Sequence, residues 1–269
     1  MERAVRDTAL QWLAAGPAAV VVEVRAARGS APREAGTRML VAADATVGTI
    51  GGGHLEWIAI GTAREMLRTG ATAPREAHYA LGPSLGQCCG GTVDLRCERL
   101  AADTLARWPR TPPRLHLQLY GAGHVGRAIA ALLATLDVEV DWIDEREAAF
   151  PEALAPGAPW PAHIRRVGVD AVEGEVRHAP PGAHYLVLTH SHELDLRIVE
   201  AVLRRGDFAF LGLIGSQTKR ARFAHRLAAR GIAPGALERL TCPIGVPGIA
   251  GKAPAVIAVA AVAQLLQQG

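Results

Sequence analysis

Two cysteines stand side by side in the stretch Leu81-Gly82-Pro83-Ser84-Leu85-Gly86-Gln87-Cys88-Cys89-Gly90-Gly91, with glycines on both sides. A thiolate is both a nucleophile and a soft metal ligand, so adjacent thiols in a glycine-rich loop suit sulfur or soft-metal chemistry. Zinc would ask for cysteines two residues apart and two further ligands, a pattern the chain does not carry. A disulfide between neighbours is strained. The plainer reading is two small residues filling a tight loop. Cys97, inside a strand pattern, reads as core, and Cys242, before Pro243, as structural.

A second constellation is Gly121-Ala122-Gly123-His124-Val125-Gly126, directly after the strand-like run Leu115 to Tyr120. The spacing G-x-G-x-x-G, between a strand and a helix, is a dinucleotide-binding fingerprint. Its first glycine allows the turn, the second lets backbone reach a phosphate, and the third lets helix and strand pack. A following strand ends at Asp144, 23 positions after Gly121, where a carboxylate can meet ribose hydroxyls. His124 is either a tolerated variable position or a polar contact to the ligand, and Arg146 either reaches a phosphate or is a solvated charge.

Three weaker signals complete the inventory. Gly51-Gly52-Gly53-His54-Leu55-Glu56 is a triple-glycine turn entering a helix. Such a turn costs backbone entropy, so the reading favours amides brought close to an anion or a heterocycle edge over a plain tight turn. Glu56 is either a first-turn carboxylate or a ligand acceptor, and Arg33 sits in a rigid turn just upstream. His190-x-His192 has a spacing open to a metal, but a third ligand is missing, and the other readings are a ligand or interface contact and plain helix-start polarity from Ser191, Glu193 and Asp195. Lys219 and Arg220 begin a helix, where cations oppose the dipole, and the reading favours an anion there that relieves the conflict over a solvated basic face.

Two sets of elements must position these residues. Ala19 to Arg25, Thr37 to Ala42 and Thr92 to Glu98 read as strands, and His54 to Arg68 as a helix. Pro109, Pro112 and Pro113 then break the pattern. Beyond them, strands at 115–120, 138–143, 185–189 and 208–214 alternate with helices, which predicts a parallel, doubly wound sheet. The expected organisation is an N-terminal mixed α+β domain over 1–108, a proline-rich linker over 109–114, and a Rossmann-like α/β domain over 115–269.

Composition removes several classes. Of 269 residues 49% are hydrophobic and 20% charged, an ordinary globular balance. A formal charge of +3 with only 4% aromatics gives no support to a nucleic-acid surface. The apolar run Ala253 to Leu266 is too short to span a bilayer, and the N-terminus lacks a signal-peptide core. Four irregularly spaced cysteines do not form a secreted disulfide framework. A reduced, cytoplasmic setting is expected, without nucleic-acid or membrane partners, and a homodimer is the base-rate oligomer.

Taken together, GSAPREAGTRM, GTIGGGHLE and LGPSLGQCCGG resemble the N-terminal domain of xanthine dehydrogenase accessory proteins, the XdhC/CoxI family. LYGAGHVGRAIA, WIDEREAAF, LTHSHELD, LIGSQTKRARF and CPIGVPGIAGKAP resemble the Rossmann-like domain of the same family, in the same order. One departure is Lys252-Ala253-Pro254-Ala255-Val256, where members commonly carry Lys-Thr-Pro and a glutamate. The resemblance implies a chaperone that binds molybdenum cofactor (molybdopterin) as cargo and supports its sulfuration by a cysteine desulfurase. It then delivers the cofactor to the molybdenum subunit of apo-xanthine dehydrogenase, with no independent catalytic turnover required. On this reading Cys88, Cys89 and Gln87 lie near the metal end, with Cys88 a molybdenum contact. Arg33, Gly51, Gly52, Gly53, His54 and Glu56 shape the pocket. Gly121, Gly123, His124, Gly126 and Asp144 hold a phosphate of the cofactor or of a nucleotide such as NAD(P). The rival readings are an NAD(P)-dependent oxidoreductase and a nucleotide-sensing binding protein.

Overall fold

In the computed structural model, residues 2–82, 90–109, 112–157 and 160–268 are described. The chain forms two compact units, Met1–Pro112 and Pro113–Gly269. Gln87, Cys88 and Cys89 lie outside the described residues.

The first unit is an antiparallel sheet of order β3-β2-β1-β5-β4, made of β1 (Val20–Arg28), β2 (Arg38–Val41), β3 (Thr46–Gly48), β4 (Arg75–Ala80) and β5 (Thr92–Arg99). The run Val20-Val21-Val22 is continuous rather than alternating because β1 is central and covered on both faces. Val20, Val22 and Val24 pack with Leu55, Ala59, Ala63 and Met66 of α2 (Gly53–Thr69). Val21 faces the other way, toward Val5 and Ala9 of α1 (Glu2–Ala15) and Leu105 of α3 (Ala102–Ala106). The edge strand β4 escapes a periodicity reading because its sequence, REAHYA, is polar and mostly exposed.

The second unit is a parallel sheet of order β11-β10-β9-β6-β7-β8. Its strands are β6 (His116–Tyr120), β7 (Glu139–Asp144), β8 (Ile164–Gly168), β9 (His184–Val187), β10 (Phe210–Leu213) and β11 (Leu240–Thr241). β9 and β10 are buried at every position, as parallel strands covered on both faces must be. The chain runs outward from β6 through β7 to β8, then returns to β9 on the opposite side of β6. The order reverses there, and open α/β sheets bind ligands at the strand C-termini beside such a reversal. Three helices start from that edge: α4 (His124–Leu133), α5 (His192–Arg205) and α6 (Gln217–Ala229). A short α7 (Pro234–Glu238) precedes β11, and the alanine-rich α8 (Pro254–Leu266) packs on α4. None of the described helices is long and apolar enough to cross a membrane.

Candidate functional site

The fingerprint turn assigns a separate job to each glycine. Gly121 has φ +114°, and a Cβ on it would lie 2.4 Å from the Leu188 carbonyl oxygen. A Cβ on Gly126 would stand 2.0 Å from the Gly121 oxygen. Packing alone therefore requires these two. Gly123 differs, for its Cβ would meet nothing within 4 Å and its φ is an ordinary −74°. Among the described residues nothing calls for glycine at this position. What its missing side chain leaves clear is the mouth of a cavity of about 570 Å³, lined by the turn, by Arg127 and Arg146, and by Leu188, Thr189 and His190.

The helix behind the turn also differs from its neighbours. Ser191 accepts from the Leu194 amide at the start of α5, and Ser216 from the Lys219 amide at the start of α6, whereas no side chain caps α4. First-turn amides of α4 thus point at the cavity with their positive dipole end, a natural seat for a phosphate. Trp142, fully buried, donates its indole N–H to the Gly121 oxygen at 3.0 Å and fixes the turn from below.

Asp144 lies beneath the cavity but is turned inward. One oxygen accepts the Ala122 amide at 2.7 Å and the other the Arg146 amide at 2.9 Å. The Arg146 guanidinium closes side-on over both oxygens at 3.0 and 2.9 Å. The carboxylate is 3% exposed while Arg146 is 46% exposed. Burial pushes the Asp144 pKa up, but Arg146 and the two amides outweigh it, and the net value falls below the ordinary carboxylate range. A ligand entering the cavity therefore meets a guanidinium where the sequence suggested a ribose-binding carboxylate. Arg127, not anticipated from the sequence, ties the turn to the next loop through the Ala122 and Ala149 oxygens.

In the first unit the triple-glycine turn takes positive φ at all three residues, +121°, +76° and +66°. Two of its amides are already used, Gly51 donating to the Thr49 hydroxyl and Gly52 to Glu56. Glu56 accepts from the Ile50 and Gly52 amides at 3.0 Å each, and from the Thr49 hydroxyl. Glu56 is thus the anion of this turn, a capping carboxylate supplied by α2 itself. Gly51 packs against Pro32, and Gly29 approaches Gly91, so the turn, the Arg33 loop and the strand following segment 83–89 share one end of the sheet. His54 stacks on Trp57 at 5.4 Å, and Trp57 is 70% exposed.

The remaining expectations sort by geometry. Lys219 has found its anion within the chain: its ammonium donates to the fully buried Asp195 at 2.7 Å and to the Ile214 oxygen at 2.8 Å. The other Asp195 oxygen accepts the Thr189 amide and hydroxyl. His190 pairs with Glu145 at 3.3 Å. Among the described residues, no group of three or more metal-ligating side chains comes together. Cys97 and Cys242 are buried, and burial pushes the Cys97 thiol up to about 11 against a weaker pull from Arg75, so it is protonated and inert.

A parallel sheet in the order of a dinucleotide-binding fold, with the fingerprint at its reversal, defines a Rossmann-type protein carrying an additional N-terminal unit. Residues 117–265 match the XdhC Rossmann domain, and residues 1–80 match the XdhC and CoxI family. The chain belongs to the XdhC family. It is 31% identical over 248 residues to the uncharacterized protein YqeB of Escherichia coli (strain K12). That match spans 89% of this chain and 41% of the relative's length. A crystal structure described as a xanthine dehydrogenase from Bacillus halodurans superposes with a TM-score of 0.75 at 19% identity. The superposition covers 98% of this chain and 95% of that one, and at this identity the likeness is one of fold.

Proposed function

We propose that the chain is a maturation factor for xanthine dehydrogenase that carries molybdenum cofactor as cargo. In this reading it shelters the cofactor while a cysteine desulfurase supplies sulfur, then passes it to the molybdenum subunit of the apoenzyme. Membership of the XdhC family supports the maturation role. The observation that carries the binding role is Gly123, the one fingerprint glycine that packing does not require, opening onto a cavity faced by an uncapped helix and by Arg146. Those groups suit a phosphate, which the cargo and a nucleotide both possess.

The residues divide the work as follows. Gly121 and Gly126 hold the turn in shape, and Gly123 with His124 receives the phosphate. Asp144 keeps the Ala122 amide and Arg146 in place. Arg33, Gly51, Gly52, Gly53 and His54 shape the glycine-lined end of the first sheet, with Glu56 pinning it. Cys88 and Cys89, with Gln87, are the soft contacts to the metal end, Cys88 foremost, on the strength of their sequence.

The test is chain purified from a molybdate-replete host, assayed for molybdenum and for the fluorescent oxidation product of the pterin. The expected result is both in near-equal amount to protein, and at least a several-fold loss on replacing Cys88 and Cys89 together by alanine. Unchanged loading in the double variant removes the thiols from the account. Absence of pterin, together with NAD(P)H turnover on a small substrate, would establish the oxidoreductase instead.

A further inference from the structure

A second cavity, of about 430 Å³, adjoins the first along the same sheet edge and shares Thr189, His190 and Ile214 with it. Its far side is α6. Lys219, Arg222 and Arg226 follow one another at spacings of three and four, so they emerge from one helical face. Hydroxyls of Ser216 and Thr218 stand at the start of that helix, and the buried ring of Phe223 supplies an apolar patch. Among the described residues lining this cavity there is no carboxylate.

The cations are not equally satisfied. Lys219 is answered by Asp195 and Arg226 by Glu193 at 2.8 Å, in each case from outside the lining. Arg222 has no hydrogen-bond or ion-pair partner among the described residues. The first turn of α6 itself carries no acidic residue to answer the macrodipole. A cationic row facing a cavity, with one exposed member uncompensated among the described residues, suits an anionic ligand.

We propose that this second cavity is an anion site for a phosphorylated small molecule, with Arg222 its principal contact. Phosphoryl oxygens suit it better than a carboxylate. Arg222 can present a pair of parallel N–H donors to one anion, and the Lys219 ammonium and the Thr218 hydroxyl come from other positions on α6, a spread that tetrahedral phosphoryl oxygens meet more readily than two coplanar carboxylate oxygens. The site adjoins the Gly123 cavity, but its cations Lys219, Arg222 and Arg226 lie outside that cavity's lining, so it survives if the cargo reading fails.

The experiment is calorimetric titration of the full chain with inorganic pyrophosphate at low ionic strength. The parent binds at two sites. Arg222→Gln loses one of them, with the melting temperature unchanged because the side chain is exposed. In Gly123→Val the remaining site depends on Arg222, and adding Arg222→Gln weakens it tenfold or more. Arg177→Gln, at an exposed position that lines neither of these two cavities, serves as the charge control. Equal weakening by Arg177→Gln and Arg222→Gln would reduce the effect to bulk charge and overturn the proposal. So would unaltered pyrophosphate binding in Arg222→Gln, or a Gly123→Val chain that binds none.

Discussion

Two of the molecule's glycine turns, each placed where a strand meets a helix, have opposite fates. At Gly51–Gly53 all three residues take backbone conformations open mainly to glycine, and Glu56 accepts from the Gly52 amide and from that of Ile50 just before the turn. At Gly121–Gly126 only the first glycine has positive φ, a single amide is taken by Asp144, and the helix end remains uncapped. The first turn is a closed anion site, with the anion built into the next helix. The second is open, and its one dispensable glycine borders a cavity. Glycine content alone therefore does not mark a ligand site; what matters is whether the chain supplies its own acceptor.

The contrast can be broken most severely at Gly126. Gly126→Ala forces a carbon to within 2.0 Å of a backbone oxygen that Trp142 also holds, so turn and helix must separate. A loss of about 3 kcal/mol or more is expected, read as collapse of the second unit's unfolding transition while the first unit keeps its own. Retention of both transitions would mean that the turn is not held as described.

Next comes Glu56→Gln. It keeps the shape but replaces a charged acceptor of two amides and a hydroxyl by a neutral one. The expected cost is about 1–2 kcal/mol, confined to the first unit. Pyrophosphate binding should stay at the parental value; a change there would show that the closed turn also serves a ligand.

The smallest effect is expected from Asp144→Asn, at about 1 kcal/mol near neutral pH, since the half-exposed Arg146 adds little. Its sign with pH is fixed by the lowered pKa. The carboxylate's contribution is present above the unfolded value of about 3.9 and is lost as pH falls through the lower folded value. The gap in stability between parent and Asp144→Asn should therefore close on acidification below about pH 4, which denaturant titration at stepped pH would record. A gap that widens there would refute the inward role given to this carboxylate.

Much of this was readable from the residues. The fingerprint stood out because its glycines follow a strand and open a helix, and the family resemblance rests on long, uncommon stretches present in order. Other features were hidden for definite reasons. Glu56 looked equally like a cap or a ligand acceptor, because the choice depends on three consecutive positive φ angles that no spacing encodes. The counter-ion of Lys219 is Asp195, on another helix and 24 positions away. Arg222 carries no signal of its own in the sequence, where Lys219 and Arg220 stand out instead, and only the pairing of Lys219 and Arg226 isolates it. The orphaned ring of His184, buried with no partner on either nitrogen among the described residues, left no trace in the sequence; burial alone lowers its pKa.

The bond from the Trp142 indole to the Gly121 oxygen gives the second unit an optical gauge wired to its own gateway. Any guest that tugs on the loop alters the polarity felt by that chromophore. Occupancy can then be followed by tryptophan emission without attaching a dye, and a Trp142→Phe chain supplies the blank.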